Sequence, residues 1–387
     1  MKTWPTNPSS RTQSVHYGAR KLGEVLEYEQ PTKYLVSSTD YKDEYTIPVL
    51  TAGKSFVLGN TNEKNGIFPK EKLPVIIFDD FTTAIKFVDF PFKVKSSAMK
   101  ILHAKKNEAD IRFLFYKMLT IKFAHDQHKR YWISECSNLK VSLPPLKIQK
   151  QIVERLDKIA EAQKLNDELI QKTDELFQSL LHKELNSTGK NWEVKKLGNL
   201  LELCDAGVWG KATNDRGMLV LRSTNFKNGG TLDFSNVPEL KIDEKKRAKV
   251  KLMDNDILLE KSGGGPDQPV GRVVYFIAPD QRDYTFANFI QRLRPNSDVV
   301  NSNFLFYHLF RLYNIGYTKK LQSQTTGIRN LKLSLYLKTE IPLPPLKTQK
   351  QIVIKLSAVQ DYKKQLLEQK AKLKELFDSV LAKSMKN

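Results

Sequence analysis

One stretch of fourteen residues occurs twice in this chain, and each copy leads into a long run with helical periodicity. The copies span 143–156 and 343–356, lie 200 positions apart and share eleven of their fourteen residues. The offset of 200 persists to the end of both runs, where Glu-Leu-Phe ends at Phe177 and again at Phe377. A repeat that keeps its register over this distance predicts two copies of one structural element.

Each copy predicts one long helix. The Pro-Pro pairs end at Pro145 and Pro345, and proline is tolerated in the first helical turn, so the helices should begin there or one residue later. Apolar residues then recur at steps of three, four and seven, without internal Gly or Pro, and form one stripe. Each helix would contain about 38 residues and be roughly 57 Å long. A long, mostly polar helix buries its stripe against a similar helix, so the two copies should pack together. Ordinary surface helices of two globular domains are the alternative.

Length and composition favour a folded protein of two or three domains. The chain has 387 residues, of which 40% are hydrophobic, enough for a core in each domain. No apolar run reaches about 18 residues and residues 1–20 lack a signal-peptide core, so we expect no membrane association and a cytoplasmic location. Residues 1–20 are expected to be a loosely held arm. Cys136 and Cys204 are too few for a disulfide framework and are predicted to be buried thiols.

The net charge of +20 is the strongest global feature of the composition. Such an excess of Lys and Arg indicates a polyanionic partner such as nucleic acid. Charge alone would also fit a ribosomal or membrane surface.

The rest of the chain predicts a mixed α/β fold built as two halves. We place the boundaries at 1–142 (arm and first globular domain), 143–190 (central helix), 191–342 (second globular domain) and 343–387 (C-terminal helix). The segments from Lys-Leu-Gly to Leu-Pro-Pro-Leu are 122 and 147 residues long and dissimilar, which suggests matched helices carrying two different globules. Runs rich in Val, Ile and Phe predict strands. These runs lie at 45–54, 73–80, 85–92, 218–222, 256–259, 270–277 and 289–293, and short helices are predicted at 113–119 and 304–310.

The duplicated motifs resemble the DNA-specificity subunit of type I restriction-modification systems. They are Lys-Leu-Gly at 21 and 196, Leu-Pro-Pro-Leu at 143 and 343 with Gln-Lys-Gln-Ile behind each, the twin helices, and the stretch 325–331. The resemblance implies two α/β target-recognition domains joined by two long antiparallel coiled-coil helices in a pseudo-twofold repeat. Each domain would read one half of a bipartite, adenine-containing DNA site.

The same resemblance implies partners and cofactors. Double-stranded DNA, two methyltransferase subunits docked on the helices, and restriction (motor) subunits are the expected partners. S-adenosylmethionine, ATP and Mg would then be bound by those subunits. No cofactor, metal or catalytic residue is expected in this chain, which has neither the Asn/Asp-Pro-Pro-aromatic motif of an adenine methyltransferase nor a P-loop. A coiled-coil adaptor that binds nucleic acid without sequence specificity is the alternative function, although dissimilar globules favour sequence reading.

Residues that contact DNA are expected in loops, with Lys and Arg on phosphates and polar side chains on base edges. For any one of them, a solvated surface position is an equally good interpretation. Gly263–265 is interpreted as a flexible loop or a close backbone approach to DNA, and the basic run 241–251 as a solvated helix face. The candidates in the first domain are Thr51, Lys54, Asp79, Asp80, Thr82, Thr83, Lys93, Lys95, Ser96, Ser97, Lys100, Lys129 and Arg130. Those in the second are Arg222, Thr224, Asn225, Lys261, Ser262, Gln268, Arg272, Lys319, Lys320, Gln322, Gln324, Thr326, Arg329 and Asn330.

Overall fold

The fold divides into two units. The computed structural model describes residues 17–51, 55–105, 107–122, 131–213, 216–265, 268–325 and 328–386. Unit 1 comprises the described residues up to Glu168 together with those from Glu368 onward, and unit 2 comprises Leu169–Leu367. Residues 1–16 of the predicted arm lie outside the described residues.

Helices and strands alternate along both halves, as the mixed α/β prediction requires. The first half contains β1 (Ala19–Lys21), α1 (Leu22–Val25), β2 (Leu26–Glu29), β3 (Ile47–Leu50), β4 (Val57–Thr61), β5 (Val75–Asp79), β6 (Ile85–Val88), β7 (Lys93–Val94), β8 (Met99–Ala104), α2 (Ile111–Leu119), α3 (Tyr131–Ser134), β9 (Lys140–Ser142) and α4 (Leu146–Glu184). The second half contains β10 (Glu193–Lys196), β11 (Leu201–Ala206), β12 (Lys211–Ala212), β13 (Met218–Leu221), β14 (Glu239–Lys241), α5 (Glu244–Val250), β15 (Ile257–Glu260), β16 (Ser262–Gly264), β17 (Val273–Tyr275), β18 (Tyr284–Phe286), β19 (Ile290–Pro295), α6 (Ser302–Asn314), β20 (Gln322–Thr325), β21 (Ile328–Leu331), α7 (Leu333–Tyr336), β22 (Glu340–Leu343) and α8 (Leu346–Ser384).

The two predicted long helices are α4 and α8, each of 39 residues and each beginning directly after its Pro-Pro pair. They pack antiparallel. In unit 1, Asp167 of α4 forms an ion pair with Lys370 of α8 at 2.8 Å. In unit 2, the later residue Glu184 of α4 pairs with the earlier residue Lys355 of α8 at 3.0 Å. The described part of the chain contains no helix long and apolar enough to cross a membrane.

The repeated motifs meet at the base of each unit. β1 pairs with β9 and β10 pairs with β22, both antiparallel. The N–H of Leu22 donates to Leu139 at 2.9 Å, and that of Leu197 donates to Thr339 at the same distance. A Cβ on Gly23 would lie 3.0 Å from Ser137, so the glycine permits a close approach of the two segments. Lys-Leu-Gly and Leu-Pro-Pro-Leu therefore recur together because they are neighbours in the fold.

The repeated glutamine of Gln-Lys-Gln-Ile fixes each globule to its long helix. Gln149 is buried, and its side-chain oxygen accepts a hydrogen bond from the backbone of Asp110, the N-cap of α2, at 2.8 Å. Gln349 accepts one from Asn301, the N-cap of α6, at 2.7 Å. Each amide nitrogen donates to the carbonyl five residues earlier, at 2.7 and 2.8 Å. Each buried amide is hydrogen-bonded through both its oxygen and its nitrogen. The two glutamines therefore fix the start of α2 against α4 and the start of α6 against α8.

The prediction that the two globules are dissimilar is wrong for their topology. Unit 1 has a sheet in the order β2-β8-β5-β6 and a second in the order β4-β3-β7, in which β3 and β7 are parallel. Unit 2 has β11-β19-β15-β17 and β12-β14-β13-β18, in which β13 and β18 are parallel. The sequences conceal this likeness because many apolar side chains can fill an equivalent core position.

The thiol prediction is confirmed for Cys136 and wrong for Cys204. Cys136 is buried, and burial raises the pKa of its thiol to about 12. Cys204 is exposed because it lies on β11, which forms the edge of its sheet. Strand periodicity alone does not show which strand forms an edge.

His308 makes the stability of unit 2 dependent on pH. Burial, with a smaller contribution from the charge of Arg311, lowers the pKa of this histidine to about 4, and its Nδ1 has no hydrogen-bond partner among the described residues. An unfolded histidine has a pKa of about 6.5, so below that pH the unfolded state binds a proton that the folded state excludes. We therefore expect the free energy of unfolding to fall by about 2–3 kcal/mol between pH 6.5 and 4 through this group. Denaturant unfolding of the wild type and His308→Leu at several pH values tests this, since their stability difference should shift steadily in favour of the variant on acidification.

Candidate nucleic-acid interface

Four segments of unit 1 converge at one end of its sheets. Strands β3 and β7 are parallel and end together, and the N–H of Lys95 donates to Leu50 at 2.8 Å. The N–H of Asp80, directly after β5, donates to Ala98 at 3.2 Å, and its carbonyl accepts from Tyr131 at 3.0 Å. The residue after β3, the loops after β5 and β7, and the start of α3 therefore reach the same end, here called the loop end.

Unit 2 builds the same loop end with the same backbone hydrogen bonds. The N–H of Ala287 donates to Leu221 at 2.8 Å where the parallel strands β13 and β18 end. The N–H of Lys261, directly after β15, donates to Phe289 at 3.0 Å, and its carbonyl accepts from Leu331 at 2.8 Å. Lys261 thus holds the position of Asp80. The two units therefore share one backbone arrangement at the loop end but present different side chains on it.

The predicted residues of unit 1 divide into exposed and buried groups. Thr82 and Lys95 are exposed at the loop end, and Thr51 is half-buried there. The Asp79 side chain is buried and accepts hydrogen bonds from the N–H groups of Phe81 and Thr82, at 2.9 and 2.6 Å, so it shapes the β5–β6 loop. Thr83, with a positive φ of 57°, is buried in the same turn.

Two lysines predicted to contact phosphates lie inside unit 1. Lys93 is 3% exposed, forms an ion pair with Glu63 at 2.7 Å and lowers the pKa of that carboxyl group. Lys100 is 1% exposed and lies 3.5 Å from the equally buried Asp80. The Lys93 ammonium group compensates the half-buried Glu63 carboxylate, and that of Lys100 compensates the buried Asp80 carboxylate. Neither is presented to a ligand, so Lys93 and Lys100 do not belong to the candidate interface.

In unit 2, a small sheet gathers predicted residues that are distant in sequence. It has the order β16-β21-β20 and pairs Ser262 with Asn330. The Ser262 hydroxyl also donates to the Asn330 side chain at 2.6 Å. Of the two interpretations of Gly263–265, the flexible loop is wrong for Gly263 and Gly264, which lie in β16. The half-buried Arg329 belongs to the same sheet, and the exposed Lys319 lies just before it.

Arg272 and Asn225 position loops of unit 2. Burial alone would lower the pKa of Arg272, but hydrogen bonds to Glu260 at 2.7 and 2.8 Å raise it. The same guanidinium donates to the carbonyls of Ser223 and Phe226 at 3.1 and 3.2 Å. Asn225 is buried and is hydrogen-bonded within its own loop. The remaining predicted residues near this loop are Arg222, half-buried, and Thr224 and Gln268, both exposed.

Some predicted residues cannot be placed. Lys54, Lys129, Arg130 and Thr326 lie outside the described residues, and for Gln324 only the backbone, in β20, is described. The basic run at 241–251 contains α5, whose exposed Lys245 and Lys246 agree with the predicted solvated helix face.

Sequence reasoning missed two exposed aromatic side chains at the loop ends. Phe81 is 46% exposed and Phe289 is 53% exposed. The predicted strand at 289–293 includes Phe289, but β19 begins one residue later. An apolar residue beside a strand is usually part of the core, and no local signal in the sequence indicates that these two point outward.

Comparison with known proteins agrees with this architecture. A family model described as the type I restriction modification DNA specificity domain matches residues 15–173 and again 189–375. The specificity subunit of the Escherichia coli type I restriction enzyme EcoR124I/EcoR124II is 54% identical over 147 residues, which are 35% of this chain and 36% of that protein. The specificity subunit StySPI of Salmonella potsdam is 25% identical over 267 residues, 64% of this chain and 57% of that protein. The chain thus spans about a third to just over half of the length of these relatives.

Two solved structures share the fold. The S subunit of a type I restriction-modification system from M. genitalium matches with a TM-score of 0.63 and 14% identity, over 99% of this chain and 100% of that one. A chain from a structural study of complex assembly and conformational transition in the type I system matches with a TM-score of 0.55 and 19% identity, over 98% of this chain and 100% of that one. At these identities the likeness concerns the fold alone. The family model, however, matches both halves and most of the chain, and the chain therefore belongs to the type I restriction modification DNA specificity family.

Proposed function

We propose that this chain is the non-catalytic DNA-specificity subunit of a type I restriction-modification complex, in which each unit reads one half of a bipartite, adenine-containing site. The observation that carries the proposal is the repeated loop end, where equivalent backbone hydrogen bonds at Asp80 and Lys261 support unlike side chains. One backbone arrangement with two sets of side chains suits two different half-sites. It also argues against the alternative function, a coiled-coil adaptor without sequence specificity, because such an adaptor would not need two different sets of recognition side chains.

The experiment that tests this proposal is a methylation map. Genomic DNA from a host that expresses the chain with its partner subunits should show one split motif, with a methylated adenine in each half. Arg329→Ala should relax the half-site read by unit 2 and leave the other half unchanged. Methylation at a continuous motif, or no sequence preference, would contradict the proposal.

Exposed lysines of the loop ends are proposed to contact DNA phosphates. Lys319→Ala with Lys320→Ala should weaken binding to all DNA sequences alike and lower the slope of log affinity against log salt by about 0.9 for each phosphate that is no longer neutralised. Titrations of the complex at several salt concentrations measure this slope. Lys245→Ala with Lys246→Ala removes the same charge from α5 and should leave the slope unchanged. If the first variant instead lost preference for one sequence at a constant slope, these lysines would be base contacts.

The long helices are proposed to dock two methyltransferase subunits. Leu176 of α4 and Leu376 of α8 occupy equivalent positions in the repeat and are about half exposed. An exposed leucine on each helix could be buried by a further partner, and two equivalent positions fit two copies of one partner. The methyltransferase subunits would supply S-adenosylmethionine, and restriction subunits ATP and Mg.

A carboxylate introduced at each of these leucines should remove the methyltransferases one at a time. Leu176→Glu or Leu376→Glu alone should leave one methyltransferase per chain, and the double variant none, because a carboxylate cannot be buried in an apolar interface. Native mass spectrometry of co-expressed complexes gives the stoichiometry. Lys172→Glu adds the same side chain at a nearby exposed position and should retain both partners. Two methyltransferases on the double variant would place the docking surface elsewhere.

A further inference from the structure

Each unit places an exposed phenylalanine beside the same backbone hydrogen bond. In unit 1 that bond joins the N–H of Asp80 to Ala98, and Phe81 follows Asp80 directly. In unit 2 the equivalent bond joins the N–H of Lys261 to the carbonyl of Phe289 itself. Phe81 therefore follows the donor of its hydrogen bond, just after β5, whereas Phe289 is itself the acceptor of the equivalent bond, just before β19. Single exposed apolar residues are common. Here, however, each loop end carries an exposed phenylalanine next to the equivalent hydrogen bond, although the two phenylalanines occupy different positions relative to it.

The backbone holds both phenylalanines firmly. The N–H of Phe81 donates to the Asp79 carboxylate at 2.9 Å. Before Phe289, the N–H of Ala287 donates to Leu221 at 2.8 Å, and after it the N–H of Ile290 donates to Ala287 at 2.9 Å. A ring on a fixed backbone loses little conformational entropy when it meets a ligand. Both rings thus extend from backbone that is already fixed, and each remains about half exposed among the described residues.

The surroundings indicate what such a ring would contact. The loop ends that carry these rings also carry polar and cationic side chains that are exposed or half-buried, among them Thr82 and Lys95 in unit 1 and Lys261 in unit 2. These groups suit phosphates and the polar edges of bases. The 5-methyl group of thymine is the apolar group that base pairs present in the major groove, and phenylalanine is one of the side chains that contact it. Every adenine-containing half-site also contains a thymine, on one strand or the other.

We propose that Phe81 and Phe289 each contact the methyl group of a thymine, Phe81 in the half-site read by unit 1 and Phe289 in that read by unit 2. This inference rests on the proposed function. It adds an apolar element of specificity to the polar residues of the loop ends.

The test replaces single thymines by uracil, which lacks only the methyl group. Once the methylation map has given the motif, duplexes with uracil at each thymine position are bound to the complex of the full chain with its methyltransferases. The wild type should bind about fourfold more weakly when uracil replaces one thymine of each half-site, the value for one buried methyl group. Phe81→Ala should bind the unmodified site about tenfold more weakly and should no longer distinguish uracil from thymine in the first half-site. Phe289→Ala should do the same in the second.

Two controls separate this contact from a structural effect. Phe81→Leu keeps an apolar side chain and should retain the discrimination of uracil. Ile277→Ala removes a side chain that is 58% exposed at the opposite end of the unit 2 sheet, and should change nothing. If both alanine variants bind thymine and uracil duplexes as the wild type does, the inference is wrong while the split motif stands. If the map shows no split motif, the proposed function fails, and the inference fails with it.

Discussion

Inserting four helix-favouring residues after Ala162 in α4 and four more after Lys374 in α8 is expected to lengthen the unread spacer of the methylated motif by one or two base pairs. The paired helices are proposed to set the distance between the half-sites. Four residues add about 6 Å to a helix, and a DNA strand rises about 3.4 Å per base pair. The base sequences of the two half-sites should stay the same because no loop end is altered.

The antiparallel register requires that the insertions be paired. The side chain of Gln163 donates to the backbone of Leu373 at 3.2 Å, and Asp167 pairs with Lys370 at 2.8 Å. Insertions opposite one another keep the contacts on either side intact. The insertion in α4 alone would shift it by about one turn against α8 and should abolish methylation. Methylation mapping of both variants decides the matter, and an unchanged spacer with full activity in the paired variant would show that the helices do not set the distance.

Lys100→Ala is expected to destabilise unit 1 by about 3–5 kcal/mol, the usual cost of leaving one member of a buried ion pair uncompensated. Its partner Asp80 is 1% exposed, and the ammonium group also lies 5.3 Å from the centre of the Tyr28 ring. Asp80 accepts a hydrogen bond from the N–H of Trp132 at 2.8 Å as well. Removal of the lysine would therefore loosen both the β5–β6 loop and the start of α3.

Hydrogen exchange of unit 1 amides during denaturant titration measures this destabilisation within the unit. Lys100→Met with Asp80→Asn removes both charges and should recover most of the stability, because neither a buried cation nor a buried anion remains. Lys95→Ala, an exposed neighbour, should be neutral for stability. The opposite result, in which Lys100→Ala folds like the wild type but binds DNA with a lower salt slope, would support the phosphate contact predicted from the sequence.

The two long helices could be predicted from the sequence alone because their determinants are local. The Pro-Pro start, the apolar stripe and the absence of internal Gly or Pro act within a few residues, and both helices begin where these features place them. The preserved offset of 200 residues also identifies their equivalence. Strand and helix positions in the globules follow from apolar periodicity, and most of them are confirmed.

Tertiary structure decided which charged and apolar side chains are available to a ligand. Lys93, Lys95 and Lys100 look alike in the sequence, yet two are buried because β7 and the start of β8 lie inside the unit, beside Glu63 and Asp80. The loop ends also depend on hydrogen bonds between distant segments, such as Leu331 to Lys261. Burial and loop convergence arise from contacts across the whole fold, whereas the helices and their repeat are encoded by neighbouring residues.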